Sequence, residues 1–169
     1  MSEFIRLLNQ IKTHRTLDWL TPSQVEAMLD LRKTLRIPGT VNLFGSTGVG
    51  KTFLGWSLAD ETGYVYLPHI DHLADLQNQE IVGLIVDNCA SDREAHRNIL
   101  KQLSFQEIRY AVLITQQMID DYTSYVELRL EAQDWDKVTE NLGSLKVFRD
   151  PSSTSNLWQL LNPHLLQGV

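Results

Sequence analysis

The chain has 169 residues, of which 43% are hydrophobic and 21% are charged. This composition is typical of a globular protein, and we expect one compact domain. A formal net charge of −6 argues against general binding of nucleic acids. The sole cysteine, Cys89, rules out an intrachain disulfide. The sequence has no signal-peptide pattern and no apolar run of membrane-spanning length, so we expect a cytoplasmic protein with no membrane partner.

Two helices are predicted before the first strand. Residues 3–14 place apolar side chains at helical spacing. Thr21-Pro22-Ser23-Gln24 is typical of a capped helix start, and that helix should end before Pro38. We interpret residues 1–38 as an N-terminal helical extension, which serves either core packing or the docking of a partner or a second copy.

A glycine-rich loop follows a short β-prone run at 40–44. Gly45-Ser46-Thr47-Gly48-Val49-Gly50-Lys51-Thr52 matches the P-loop pattern G-x-x-x-x-G-K-[ST] without a mismatch, and residues 53–59 read as a helix ending before Gly63. The glycines let backbone N–H groups wrap a polyphosphate. Lys51 is expected at the β/γ oxygens, and the Thr52 hydroxyl at Mg²⁺. All eight residues are therefore predicted to bind a nucleotide, with Mg²⁺ as the accompanying metal.

The next two strands are predicted at 64–67 and 81–86. The second is an almost continuous apolar run, typical of a strand buried on both faces, and it ends in Asp87 and Asn88. Asp87 is therefore expected in the Mg²⁺ shell. His69, Asp71 and His72 lie close together in sequence, but their spacing does not favour a zinc site, and we expect a loop and a helix start there.

The rest of the chain continues the alternation of strands and helices. We predict a capping box at Ser91–Glu94, a strand at 108–115, a weaker strand at 126–130 and a helix at 134–142. A further short strand is predicted at 145–148, before a C-terminal tail at 151–169. The pattern predicts an α/β fold with three layers and a mostly parallel sheet, its nucleotide-binding core spanning 39–150 and the whole chain forming one compact domain.

Three of these segments together resemble a known family. The loop at 45–52, the strand ending at Asp87-Asn88 and the strand ending at Thr115-Gln116 are similar to Walker A, Walker B and sensor 1 of the additional-strand P-loop ATPases. The resemblance covers about residues 39–131 and extends to AAA+ cores such as helicase-loader and transposition-helper ATPases. It implies that Lys51, Thr52 and Asp87 bind Mg·ATP. It also implies that Thr115 or Gln116 contacts the γ-phosphate or the attacking water.

The chain departs from the family at two points. Asn88 occupies the position where the family usually has a Glu that activates water. An amide cannot take a proton near neutral pH, although it can orient a water molecule. The segment after Leu130 is also short for a helical lid with a sensor 2 Arg. We therefore expect slow ATP hydrolysis by the chain alone.

These features leave three functions open. The first is an ATP-binding, AAA+-like subunit of a larger assembly, working with a protein partner or as a homo-oligomer. In that case Arg129, Arg93 or Arg97 would serve the site of a neighbouring subunit. The second is a small-molecule kinase, which the single Arg of the acidic segment 116–140 does not favour. The third is a catalytically degenerate, ATP-dependent interaction module of a phage-defence or DNA-transaction system, in which nucleic acid is contacted only indirectly. The sequence lacks the base-reading motif of GTPases.

Overall fold

The computed structural model describes residues 3–76, 79–120 and 124–162. Five strands form one parallel sheet in the order β2-β3-β4-β1-β5. They are β1 (Gly39–Phe44), β2 (Val65–Leu67), β3 (Gly83–Val86), β4 (Tyr110–Thr115) and β5 (Tyr125–Glu127). Strand β4 therefore lies between β1 and β3. Strands β1 and β2, which precede and follow the glycine-rich loop in the chain, are not neighbours in the sheet. The predicted α/β class with a parallel sheet is confirmed.

Helices cover the sheet and fill the connections between its strands. They are α1 (Glu3–Thr13), α2 (Pro22–Thr34), α3 (Lys51–Thr62), α4 (Arg93–Phe105), α5 (Ala132–Ser144) and α6 (Leu157–Leu161). Short 3₁₀ helices occupy Leu17–Trp19, Ile70–Leu76 and Pro151–Ser153. Within the described residues, no helix is both long enough and apolar enough to cross a bilayer. Residues 163–169 of the predicted C-terminal tail lie outside the described part of the chain.

Alternating side chains of the strands feed two hydrophobic clusters, one on each face of the sheet. Ile85, Val112 and Ile114 point to the face covered by α2 and α3. Leu84 and Leu113 point to the face covered by α4 and the 3₁₀ helix at 70–76. Every residue of β3 is buried, because this strand has neighbours on both edges and helices on both faces. The three layers follow from this alternation.

A third cluster lies apart from the sheet and joins the two ends of the chain. Leu7 of α1 packs with Val138 and Leu142 of α5 and with Leu160 of α6. Phe4 also contacts Trp158, with ring centroids 5.4 Å apart. The two helices of the predicted N-terminal extension thus separate: α2 packs on the sheet, whereas α1 packs with the C-terminal helices.

Two predictions of local structure were wrong. Helix α4 is capped by Asp92, which accepts from the Ala95 N–H, whereas the Ser91 hydroxyl accepts from the Gln117 N–H. Residues 145–148 form no strand. Their backbone closes the end of α5, because Lys146 takes a left-handed conformation (φ 59°) and the Val147 N–H donates to the Leu142 carbonyl. The apolar residues there serve a helix end and not a sheet.

Candidate functional site

The glycine-rich loop joins the end of β1 to the start of α3. Gly48 (φ 79°) and Gly50 (φ 94°) hold left-handed conformations that strain other residues. These two glycines bend the backbone around the N-terminus of α3, where unpaired N–H groups and the helix dipole favour an anion. The Val49 side chain is buried in the hydrophobic cluster between the sheet and helices α2 and α3, and this contact anchors the loop. The loop has the curvature that phosphate binding requires.

The Lys51 side chain lies inside this loop. Its ammonium donates to the carbonyl oxygens of Gly45, at 2.5 Å, and Ser46, at 2.8 Å. Burial lowers the pKa of Lys51 from its ordinary value, and the Asp87 carboxylate opposes this shift. Lys51 thus places a buried positive charge at the loop, held by neutral carbonyl groups that a phosphate can replace.

The loop meets strand β3 through one hydrogen bond. The Thr52 hydroxyl donates to Asp87 Oδ2 at 2.7 Å, and Asp87 is almost fully buried at the C-terminal end of β3. A hydroxyl oxygen beside a carboxylate is a donor set suited to Mg²⁺, which prefers oxygen ligands. The two residues predicted as metal ligands are therefore together, and they fit a magnesium ion.

Asn88 lies beside this pair in a left-handed conformation (φ 52°). Its side-chain amide donates to the Pro68 carbonyl at 3.0 Å, and its backbone N–H donates to Asp87 Oδ1 at 2.7 Å. The position predicted for water activation therefore holds an amide whose N–H₂ group is bound to the loop after β2.

The two predicted sensor residues differ in their surroundings. Thr115 is buried, donates from its hydroxyl to the Gln117 carbonyl at 2.7 Å and accepts from Asn42 Nδ2 at 2.9 Å. Gln116 is exposed and lines the cavity described below. Because the Thr115 hydroxyl is engaged inside the fold, the geometry favours Gln116 as the group that faces a ligand.

Asn42 is a site-supporting residue that the sequence analysis missed. It is fully buried in the middle of β1, donates to the Leu113 carbonyl as well as to Thr115, and accepts from the Ile119 N–H. These bonds connect β1 to the C-terminal end of β4 and to the turn after Thr115. A polar residue in an otherwise apolar strand was the available signal.

A cavity of about 1060 Å³ opens at the C-terminal edge of the sheet. Three of the twelve predicted site residues, Gly45, Ser46 and Val49, do not line it. The nine that do are Thr47, Gly48, Gly50, Lys51, Thr52, Asp87, Asn88, Thr115 and Gln116. Val138 and Leu142 of the third cluster also line it, together with Leu8, Trp19 and Trp158. Helices α1, α5 and α6 therefore add apolar side chains to a pocket whose other lining includes the polar residues of the loop.

Lys12 of α1 also lines this cavity. Its ammonium lies 5.1 Å from the ring centroid of Trp56, which is one helical turn after Thr52 in α3. Among the described residues that line the cavity, Lys12 and Lys51 are the lysines and there is no arginine. Arg129, Arg93 and Arg97 do not line the cavity of their own chain. Arg129 pairs with Glu127, and Arg93 pairs with Asp120.

Both ends of the chain are hydrogen-bonded to the loop backbone. Gln24 of α2 caps its own helix and donates from Nε2 to the Gly50 carbonyl at 3.0 Å. At the other end, the Leu157 N–H donates to the Gly48 carbonyl at 2.9 Å. A change in the conformation of the loop would therefore disturb hydrogen bonds to α2 and α6.

The histidines after β2 lie beside neighbouring carboxylates. His69 Nδ1 is 2.9 Å from Asp71 Oδ2, and His72 Nδ1 is 3.3 Å from Asp75 Oδ2. In the part of the chain that the structure describes, no group of three His, Cys, Asp or Glu side chains is arranged to hold a metal ion.

No protein-family model matches the chain, and no curated protein matches it. Among solved structures, domain III of the replication initiation protein DnaA from Thermotoga maritima aligns with a TM-score of 0.54 at 9% identity, covering 86% of this chain and 83% of that one. The fold is AAA+-like.

Two further DnaA structures agree with this assignment of the fold. DnaA from Aquifex aeolicus bound to AMPPCP gives a TM-score of 0.51 at 16% identity, covering 98% of this chain and 62% of that one. A replication initiator DnaA bound to AMPPCP and single-stranded DNA gives 0.52 at 16% identity, covering 83% and 60%. The present chain thus spans about three fifths of the length of these two proteins, and the likeness concerns the fold alone.

Proposed function

We propose that this chain is an ATP-binding, AAA+-like protein that works as a nucleotide-controlled subunit of a larger assembly. The observation that carries the proposal is the hydrogen bond from Thr52 to Asp87 beside a glycine-rich loop that encloses Lys51. Hydroxyl, carboxylate and ammonium meet there at the N-terminus of a helix. This is the combination that a magnesium-bound polyphosphate requires.

Each group has a distinct part in binding. The N–H groups of Gly48 to Lys51 surround the phosphates, and Lys51 Nζ exchanges the carbonyls of Gly45 and Ser46 for phosphate oxygens. Thr52 and Asp87 would hold Mg²⁺ directly and through its water ligands. When bound, the ion neutralises charge on the phosphates and orients them.

The apolar wall of the cavity suits the base and ribose. Leu8, Trp19, Val138 and Leu142 offer hydrophobic surface in the same cavity as the loop. Lys12 supplies a second cation to the pocket, and triphosphate brings more negative charge than Lys51 alone can neutralise. AMPPCP, present in two of the similar DnaA structures, is an ATP analogue, which supports ATP as the nucleotide.

Hydrolysis by the isolated chain is expected to be slow. Asn88 cannot act as a base, and its amide group is bound to the Pro68 carbonyl. Gln116 is our candidate for orienting water, since it is exposed and lines the cavity. A partner protein or a neighbouring copy would supply the missing cation, and Arg129, Arg93 and Arg97 are the candidates within a homo-oligomer.

The binding claim is tested with Lys51→Ala and the matched control Lys101→Ala, which changes an exposed lysine of α4. Isothermal titration with Mg·ATP should show that Lys51→Ala weakens affinity by about 10–100-fold, because a charge-assisted contact is lost. Lys101→Ala should bind like the wild type. Equal affinity of all three proteins would refute the proposal.

The assembly claim needs a separate measurement. Light scattering with and without a non-hydrolysable ATP analogue should show a nucleotide-dependent change of mass, either alone or with the partner. A strict monomer under all these conditions would contradict the assembly claim and leave the binding claim standing.

A further inference from the structure

Strand β2 contributes a hydroxyl group to the Asp87 carboxylate. Tyr66 Oη donates to Asp87 Oδ2 at 2.6 Å, and this is the same oxygen that accepts from Thr52 at 2.7 Å. The other oxygen, Oδ1, accepts from the Asn88 N–H. Asp87 is therefore held by three donors, and it cannot rotate without breaking at least one of these bonds.

The fold holds the Tyr66 ring in this position. Tyr66 pairs with Ile85 across the β2–β3 ladder, so the ends of the two strands are in register. Its ring meets the Trp56 ring edge-on, with centroids 6.1 Å apart, and lies against Gly55 of α3. The hydroxyl is thus directed at Asp87 by packing on α3 as well as by the sheet.

The Tyr66 hydroxyl is the donor in this bond, because a carboxylate can only accept. A hydrogen bond to a carboxylate is shorter and stronger than one between neutral groups.

We infer that Tyr66 is a positioning residue of the magnesium site, which fixes the Asp87 carboxylate in the orientation that the ion needs. This inference rests on the proposed function. It adds a residue of β2 to a site that otherwise consists of the glycine-rich loop, Asp87 and the predicted sensor residues. Groups that orient metal-binding residues typically contribute about 10–100-fold to metal affinity. Tyr66 acts through Asp87 and need not touch the nucleotide.

The test compares Tyr66→Phe with Tyr64→Phe. Both changes remove one hydroxyl and keep the ring, and Tyr64 stacks on Tyr110 outside the cavity. Affinity for an ATP analogue is measured in EDTA and across a series of Mg²⁺ concentrations. Tyr66→Phe should bind the analogue normally in EDTA but require about 10–100-fold more Mg²⁺ for tight binding. Tyr64→Phe should match the wild type in both conditions.

A double-mutant cycle with Asp87→Ala tests whether Tyr66 acts through Asp87. Once Asp87→Ala has removed the acceptor, adding Tyr66→Phe should produce no further change in the Mg²⁺ requirement. An unchanged Mg²⁺ requirement in Tyr66→Phe would overturn the inference. So would an equal loss of affinity in EDTA and in Mg²⁺, since that marks general damage to the pocket. Wild-type protein that binds no nucleotide at all would instead refute the proposed function, and this inference with it.

Discussion

Gln24 Nε2 donates a 3.0 Å hydrogen bond to the carbonyl of Gly50, so the first turn of α2 is attached to the phosphate-binding loop. The same side chain accepts from the Thr21 N–H and caps α2. One buried amide therefore serves a helix start and the loop at once. This link places the helices before β1 in direct contact with the site.

Replacing Gln24 by Glu separates these two tasks. The acceptor for Thr21 remains, whereas the donor to Gly50 becomes a carboxylate oxygen that faces a carbonyl. We expect the free energy of unfolding to fall by about 1–3 kcal/mol, because the Gly50 carbonyl keeps the Leu54 N–H but loses its second donor and faces a carboxylate instead. ATP affinity should also fall, since Gly50 is the N-cap of α3 in the phosphate-binding loop. Urea unfolding and titration measure the two effects. Gln102→Glu, an exposed change on α4, should leave both unchanged; equal effects of the two variants would show that added charge alone is responsible.

Lys12 should bind the polyphosphate part of the nucleotide. We expect Lys12→Met to weaken ATP binding roughly tenfold, as a charge-assisted contact is lost, and to change AMP binding little. The effect should shrink at high salt, because salt screens the charge. Arg6→Met removes a charge from an exposed position of the same helix that does not line the cavity, and it should behave like the wild type. A loss that is equal for ATP and AMP would mean that Lys12 only supports the packing of α1.

Asn88, the residue after Asp87, should limit the rate of ATP hydrolysis. The isolated protein should hydrolyse ATP about 10²–10⁴-fold more slowly than an ATPase with a general base. Asn88→Glu should raise the rate, because a carboxylate can take a proton, and Asp87→Ala should abolish the Mg²⁺-dependent activity. Asn88→Gly is the conformational control, since glycine tolerates the left-handed backbone at this position. Fast hydrolysis by the wild type that persists in Asn88→Gly would show that another group activates the water.

The Cys89 thiol should be almost unreactive in the folded protein. Burial, together with the Asp87 carboxylate, raises the pKa of Cys89 to about 12. Labelling by dithiodipyridine should therefore rise about tenfold per pH unit between about pH 7 and 10, whereas unfolded protein should level off above about pH 8.5.

The same shift predicts how stability depends on pH. Because the folded-state pKa of Cys89 is raised, its contribution to stability is complete below about pH 8.5 and is lost as pH rises toward about 12. Urea unfolding of the wild type and of Cys89→Ala across this range measures the contribution. Native labelling as fast as that of the unfolded chain would contradict the burial of this thiol.

The sequence alone was sufficient to predict the curved glycine-rich loop between a strand and a helix, the buried strand before Asp87 and the parallel α/β architecture. Each of these depends on residues that are adjacent in the chain. Glycines permit the bends of the loop, a run of apolar residues makes a strand that is stable when covered on both sides, and strands that alternate with helices favour a parallel sheet. Thr21 and Gln24 likewise cap α2 as predicted. Local chemistry determines these features without further information.

Tertiary structure decided which side chains surround the site. Tyr66 meets Asp87 across 21 positions of sequence, and Asn42 reaches Thr115 across 73. Lys12 enters the cavity because Leu7 of its helix packs with α5 and α6. The segment at 145–148 ends a helix because the Val147 N–H donates back to the Leu142 carbonyl. Spacing along the chain carries no signal for such contacts, since they depend on how distant elements pack to bury their apolar faces.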